Sequence, residues 1–327
     1  MKFPLLPFQI GPLRIELPVV PAPLAGYSDL SYRLLCRRLG AGYCTTEMML
    51  DKCLLVGGKL RQRLVQTHPE DHPTAGQLIG NDPGVMAAAA RVLREVGFDA
   101  VDLNFACPVH KALSRKRGGY LMKQPELALE IIRAVRSSVD LPVTVKLRHK
   151  FRNTDDEEAF WQIAEGAFDA GVAAICVHAR SVEMKYAGAA QWEFIASVKR
   201  RFPGRTIIGS GDVMTPADAL AMLESTGVDA VAVARGGLGN PWFFRQVADL
   251  AAGRTPYQPG LAEQRELMAW HFRNAEGLYG SRTAKIMRKF GIKYARMHPT
   301  PGKVRSAFIA VRSGEEWNSV LRQFYTE

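Results

Sequence analysis

Eight short apolar runs recur along this chain at intervals that leave room for about one helix between neighbours, and this alternation restricts the available folds more than any other feature. The runs are LPVVPAPLAG, YCTTEM, AGQLIG, FDAVDLNF, LPVTVKLR, VAAICVHAR, RTIIGSGDV and VDAVAVARGG. Between them lie helix-like stretches such as DPGVMAAAARVLREVG, PELALEIIRAVRSSV, DDEEAFWQIAEGAFDAG and TPADALAMLESTG. Several open on Asp, Thr or Pro and close on Gly, residues that suit helix starts and stops. Strands alternating with helices predict an α/β fold of the (β/α)8 TIM-barrel class. A doubly wound sheet would alternate in the same way, but it usually shows GxGxxG after its first strand, where this chain has APLAGYSD.

The alternation stops near residue 250, and GRTPYQPG reads as a linker into helical sequence from Leu261 onward. The chain of 327 residues is therefore expected to divide into a barrel over 1–250 and a small all-helical domain over 251–327, since barrels commonly use about 200 to 250 residues. Between Glu276 and Glu315 there is no acidic residue, while Arg282, Lys285, Arg288, Lys289, Lys293, Arg296, Lys303, Arg305 and Arg312 are all basic. With 43 Lys+Arg against 32 Asp+Glu overall, an anionic partner is expected, and the acid-free segment is where it would bind.

Five scattered cysteines without a CxxC pair predict neither a zinc site nor a disulfide framework, and hence a reduced, cytoplasmic setting. MKFPLLPFQIGPLRIELPVV is broken by prolines and by Arg14 and Glu16, which argues against a spanning helix or a signal peptide.

In a barrel of this class the chemistry gathers at the C-terminal ends of the strands. Those ends carry Gln77, Asn104 with Cys107, Lys146, His178 with Arg180, the GSGD stretch and the ARGG stretch. Glycine-rich loops after strands seven and eight expose backbone N–H groups and are the usual phosphate site of the fold, to which Arg235 would add a charge-assisted contact. Lys146 is placed to touch the polar edge of a ring cofactor, although it could also snorkel to solvent. Most free cysteines are small buried hydrophobes, which is the reading for Cys36, Cys44, Cys53 and Cys176. Cys107 differs because it follows a strand, is stiffened by Pro108 and precedes a basic, glycine-containing loop.

These segments resemble the FMN-dependent tRNA-dihydrouridine synthases over essentially the whole chain. APLAGYSD is similar to the family's first flavin motif, DLNFACPVHK to its active-site segment, VTVKLR and VHAR to its flavin and substrate strands, and GSGDV with ARGGLGNPW to its phosphate loops. The resemblance implies FMN contacts from Pro23, Leu24, Ala25, Gln77, Lys146, His178, Ser210, Gly211, Asp212, Ala234 and Arg235. It also implies NADPH or NADH as electron donor and Cys107 as catalytic acid. Leu24 in place of Met, Ala106 and Ala234 in place of Gly, and Ser210 in place of Asn bear on subfamily and target position rather than on the chemistry.

On this reading uridines in tRNA are reduced at C5=C6, with Cys107 giving the proton. Asn104 could bond the uracil edge, and Arg180 could reach the base or its phosphate. Lys111 with its basic loop, and Arg282, Lys285, Arg288 and Lys289, would hold the flanking tRNA phosphates. A monomer without metal is expected. Two alternatives remain open at this level: an FMN barrel acting on a free small molecule such as a dihydroorotate, and a non-catalytic RNA-binding barrel.

Overall fold

The computed structural model describes residues 3–326. All eight apolar runs become parallel barrel strands: Val19–Pro21, Cys44–Thr45, Thr74–Ile79, Ala100–Phe105, Val143–Arg148, Ala174–His178, Thr206–Ser210 and Ala230–Val233. The ladder passes from the first strand to the eighth and then back in order to the second. Among the described residues the first and second strands share no paired register, so the barrel is nearly closed, with its seam there. YCTTEM is the cause. Its strand lasts two residues, the chain bulges while the Gln77 amide donates to Thr46 Oγ1 at 3.0 Å, and pairing with the third strand resumes at Met49–Leu50.

The expected start and stop signals act as such. Asp82 caps helix Pro83–Val96 by accepting from the Val85 amide, and Gly97 ends it at φ +96°. Thr215 and Asp218 form a reciprocal capping box on Pro216–Thr226.

The residues LPFQIGPLRIEL take a form that the proline pattern did not suggest. They form an antiparallel hairpin, Phe8–Ile10 against Leu13–Ile15, and close the N-terminal end of the barrel. Phe8, Ile10 and Ile15 pack with Ala75, Ala100, Ala174 and Ala230, the small residues near the strand starts that leave room for them. The other end of the barrel is thereby left as the open one.

Beyond the linker, helices Leu261–Tyr279, Thr283–Tyr294, Pro301–Ala310 and Gly314–Phe324 pack around Phe272, Phe308 and Trp317. They share one continuous apolar core with the barrel's outer layer. Phe290 meets Tyr27 edge-on at 5.2 Å, and Tyr279 donates to Asp29 at 2.8 Å. These contacts seat the basic helices beside the loop that follows the first barrel strand.

Candidate active site

Strand alternation explains how polar groups come to line the open end of an apolar barrel. In VTVKLR, Val143, Val145 and Leu147 face the outer core, which turns Thr144, Lys146 and Arg148 to the other face. The same rule places Gln77, Asp102, Asn104, His178 and Ser210 inward. The result is a cavity of about 730 Å³ at the strand ends, lined by Pro23, Leu24, Ala25, Gln77, Asn104, Cys107, Lys146, His178, Ser210 and Ala234. Of the expected flavin residues only Gly211, Asp212 and Arg235 lie outside this lining. They sit in the adjoining loops after strands seven and eight, with Arg235 Nη2 3.6 Å from Asp212.

Those two loops touch. A Cβ on Gly236 would lie 2.4 Å from the Val213 carbonyl oxygen, so only glycine lets the eighth-strand loop rest on the seventh. Two stretches that the sequence shows as separate glycine signals thus form one rim.

Below the cavity runs a buried hydrogen-bond chain. Thr144 Oγ1 donates to Asp102 at 2.5 Å, Gln77 Nε2 donates to the other Asp102 oxygen at 2.6 Å, and Asn104 Nδ2 donates to Gln77 Oε1 at 2.8 Å. Asn104 Oδ1 then accepts the backbone N–H groups of Ala106 and Cys107 at 3.1 and 2.9 Å. Burial raises the Asp102 carboxyl above its ordinary value, against the pull of the Gln77 and Thr144 hydrogen bonds. The amide oxygen of Asn104 is therefore committed to capping the strand end and holding the turn that carries Cys107.

Cys107 is 7% exposed, and its thiol is pushed up from the ordinary range by burial, opposed by the Val109 N–H and the charge of Arg148. The glycine pair after the basic loop packs onto it. Gly118 lies at φ +60°, with a Cβ there 2.8 Å from the Cys107 Cβ, and the Gly119 N–H donates to the Cys107 carbonyl at 3.0 Å. RGG is thus the clamp on the cysteine turn, while Lys111, Arg115 and Lys116 point to solvent.

The Lys146 ammonium has the Cys176 sulfur at 3.3 Å as a partner, a weak acceptor that leaves its donors available to a ligand. His178 is driven down to about 2 by burial, reinforced by Lys146, Arg148, Arg180 and Arg235. Its Nε2 faces Arg180 Nη1 at 3.4 Å; guanidinium can only donate, so Nε2 is the acceptor and Nδ1 carries the proton. Arg180 itself donates to both Asp212 oxygens at 2.6 Å and to the Gly188 carbonyl. With 2% exposure, it braces the sixth- and seventh-strand loops instead of reaching outward.

Two residues of this site were not singled out by sequence reasoning. Arg148 is buried and donates to the carbonyls of Ala106, Ser181 and Lys185, with burial bringing it down to about 10. Tyr186, 55% exposed, has the guanidiniums of Arg148 and Arg235 at 5.8 and 5.5 Å from its ring centre. Alternation in VTVKLR was a sufficient signal for Arg148. Tyr186 had none, because it reaches the cavity from an irregular loop.

Among the basic residues of the helical region, Arg282 and Lys285 are exposed and Arg288 is half-buried. Lys289 turns inward, with its ammonium 4.7 Å from the Tyr27 ring centre and 3.3 Å from where a Gly26 Cβ would stand. Burial lowers it from the ordinary lysine value. It ties the helical region to the first-strand loop.

The neutral His178 has a measurable consequence. Its folded value lies far below the free-histidine range, so the unfolded chain binds the extra proton and stability falls as pH drops below about 6.5. The stability advantage of wild type over His178→Gln, from urea unfolding, should shrink by about 2 kcal/mol between pH 8 and pH 5. A difference that stays constant over that range would show that His178 is not held neutral.

Among the described residues no helix is long and apolar enough to cross a membrane, and no group of three or more His, Cys, Asp and Glu is placed to hold a metal ion. Solved structures share the fold. Histamine dehydrogenase from Rhizobium sp. 4-9 superposes with TM-score 0.58 at 13% identity over 82% of this chain and 50% of that one; a variant of NCR from Zymomonas mobilis gives 0.58 at 17% over 77% and 92%. Sequence relatives are nearer. The chain is 34% identical over 97% of its length to tRNA-dihydrouridine synthase B of Xanthomonas campestris pv. campestris, covering 95% of that protein, and 34% identical to the protein of that name in Shewanella oneidensis, covering 98% of each. A family model described as dihydrouridine synthase matches residues 20–326, spanning the cysteine turn, both glycine loops and the basic helices. The chain belongs to the dihydrouridine synthase family.

Proposed function

We propose that the protein is a cytoplasmic, monomeric tRNA-dihydrouridine synthase that holds FMN in the barrel mouth, takes electrons from NADPH or NADH, and uses Cys107 as proton donor. Residues 1–250 form its catalytic domain and 251–327 its tRNA-binding domain. The observation that carries this reading is that the Cys107 thiol and the Lys146 ammonium, whose hydrogen-bond partner among the described residues is the Cys176 sulfur, line one cavity.

The residues present suit a flavin. Lys146 and the neutral His178 would hold the polar edge of the ring; the loops at Ser210–Asp212 and Ala234–Arg235, with Arg235 half-exposed, would hold its phosphate. Bound FMN, once reduced, supplies the hydride to uracil C6.

The chain supplies the rest. Cys107 Sγ–H gives its proton to C5 and takes one back from solvent, and its raised value keeps it protonated at neutral pH. Asn104, Gln77 and Asp102 hold the cysteine turn, and Tyr186 offers a flat face to a base extruded from the tRNA. Lys111, Arg282 and Lys285 would meet the flanking phosphates.

Purified protein should be yellow, bleach with NADPH, and be reoxidised anaerobically by unmodified tRNA. Reoxidation by free uridine or orotate instead would point to a small-molecule reductase. Colourless protein that binds tRNA would leave only an RNA-binding role.

A further inference from the structure

Away from the barrel mouth, a groove of about 810 Å³ lies between the barrel's first helix, Leu30–Arg38, and the helical region. Arg38, Arg265, Arg273 and Arg322 border it; Trp270 forms part of the lining, and among the described residues Glu266 is the one acid in that lining. Arg38 stacks on Trp270 at 5.1 Å from the ring centre. None of the four guanidiniums has an ion-pair partner among the described residues, whereas Arg33, Arg180, Arg200, Arg201 and Arg254 each take one. Four unpaired like charges around a single groove repel one another, an arrangement suited to a polyanion that neutralises them together.

Its position relative to the mouth follows from the helix pairing. Helix Leu261–Tyr279 packs against the barrel's first helix, with Tyr279 bonded to Asp29 near the mouth, His271 to Ser31, and Trp270 under Arg38 at the first helix's other end. Nine residues separate Trp270 from Tyr279 along that helix, about 14 Å at 1.5 Å each, so the groove lies away from the Asp29 contact. We propose that this groove is a second tRNA-binding tract, one that grips the phosphate backbone of a tRNA whose target uridine is in the barrel mouth. The proposal rests on the tRNA reading above and extends it to residues outside the acid-free segment, one of them on the barrel. A polyanion is favoured over a free nucleotide because the charges come from three separate helices along an open groove. Guanidiniums that line one open groove suit the phosphates of a single backbone.

The test measures the affinity of unmodified tRNA against salt for wild type and for Arg265→Gln, Arg273→Gln and Arg322→Gln combined. Affinity should fall about 10-fold or more at about 100 mM salt, and the slope of log affinity on log salt should become shallower by about 2 to 3. The corresponding triple Arg→Lys variant should keep the wild-type slope, which a purely structural role would not predict. If the Gln triple melts early, Arg273→Gln alone, at an exposed position, should still lower the slope by about 1. Wild-type values in the Gln variants would overturn this inference and leave the proposed function standing. Wild-type protein with no affinity for tRNA would overturn both.

Discussion

Cys107→Ala should fold, retain its flavin and accept electrons from NADPH, yet form dihydrouridine about 100-fold more slowly or worse, the scale for losing a positioned general acid. The fold should survive because Gly118 and Gly119 pack on the Cys107 Cβ and carbonyl, which alanine keeps. The turn should hold because Asn104 Oδ1 caps backbone N–H groups rather than the sulfur. What disappears is the one acidic proton that this turn offers to the cavity. Single-turnover oxidation of the reduced flavin by tRNA lacking dihydrouridine gives the readout. A mutant that reoxidises and forms product at the wild-type rate would make Cys107 an ordinary buried cysteine. Because burial lifts the thiol above its usual range, wild-type turnover should also show no loss of the acid form between pH 7 and pH 8.

Lys146→Met should purify with little or no flavin and bind added FMN about 30- to 100-fold more weakly, as expected from losing a charge-assisted hydrogen bond in a partly enclosed site. Methionine keeps most of the side-chain volume and removes the charge. Within the protein that charge has the Cys176 sulfur at 3.3 Å as its partner, so little else should rearrange when it goes. Flavin absorbance of the purified variant and fluorescence titration with FMN are the measurements. Full occupancy with wild-type affinity would remove Lys146 from the cofactor site and, with it, the identification of the 730 Å³ cavity as that site.

The candidate site was legible wherever it depends on strand alternation. Once LPVTVKLR is a strand, Lys146 must point inward, and the same arithmetic puts Gln77, Asn104 and His178 at the same end of the barrel. Arithmetic of this kind says where a side chain points but not what it touches. Asn104 and Arg180 looked like substrate contacts from their positions. In three dimensions the oxygen of Asn104 belongs to the cysteine turn, and Arg180 belongs to Asp212 and the Gly188 carbonyl. Lys289 reads as one more surface cation in a basic helix, yet lies over Tyr27.

By itself the sequence determined the barrel class, the strands, several helix caps and the set of groups at the open end. All of these follow from local propensity and from periods of two and about 3.6 residues, which neighbouring residues are enough to specify. Tertiary structure alone decided which end is open, since that depends on Phe8, Ile10 and Ile15 meeting alanines up to 222 residues further along the chain. It alone decided that the two glycine loops form one rim, because the contact joins Gly236 to the Val213 carbonyl. It also decided that Arg38 and Trp270 share a groove, since they come from helices brought side by side only when the helical region docks on the barrel. Contacts between residues far apart in the chain leave no periodic trace in sequence, and they are what turned a list of candidate groups into a site.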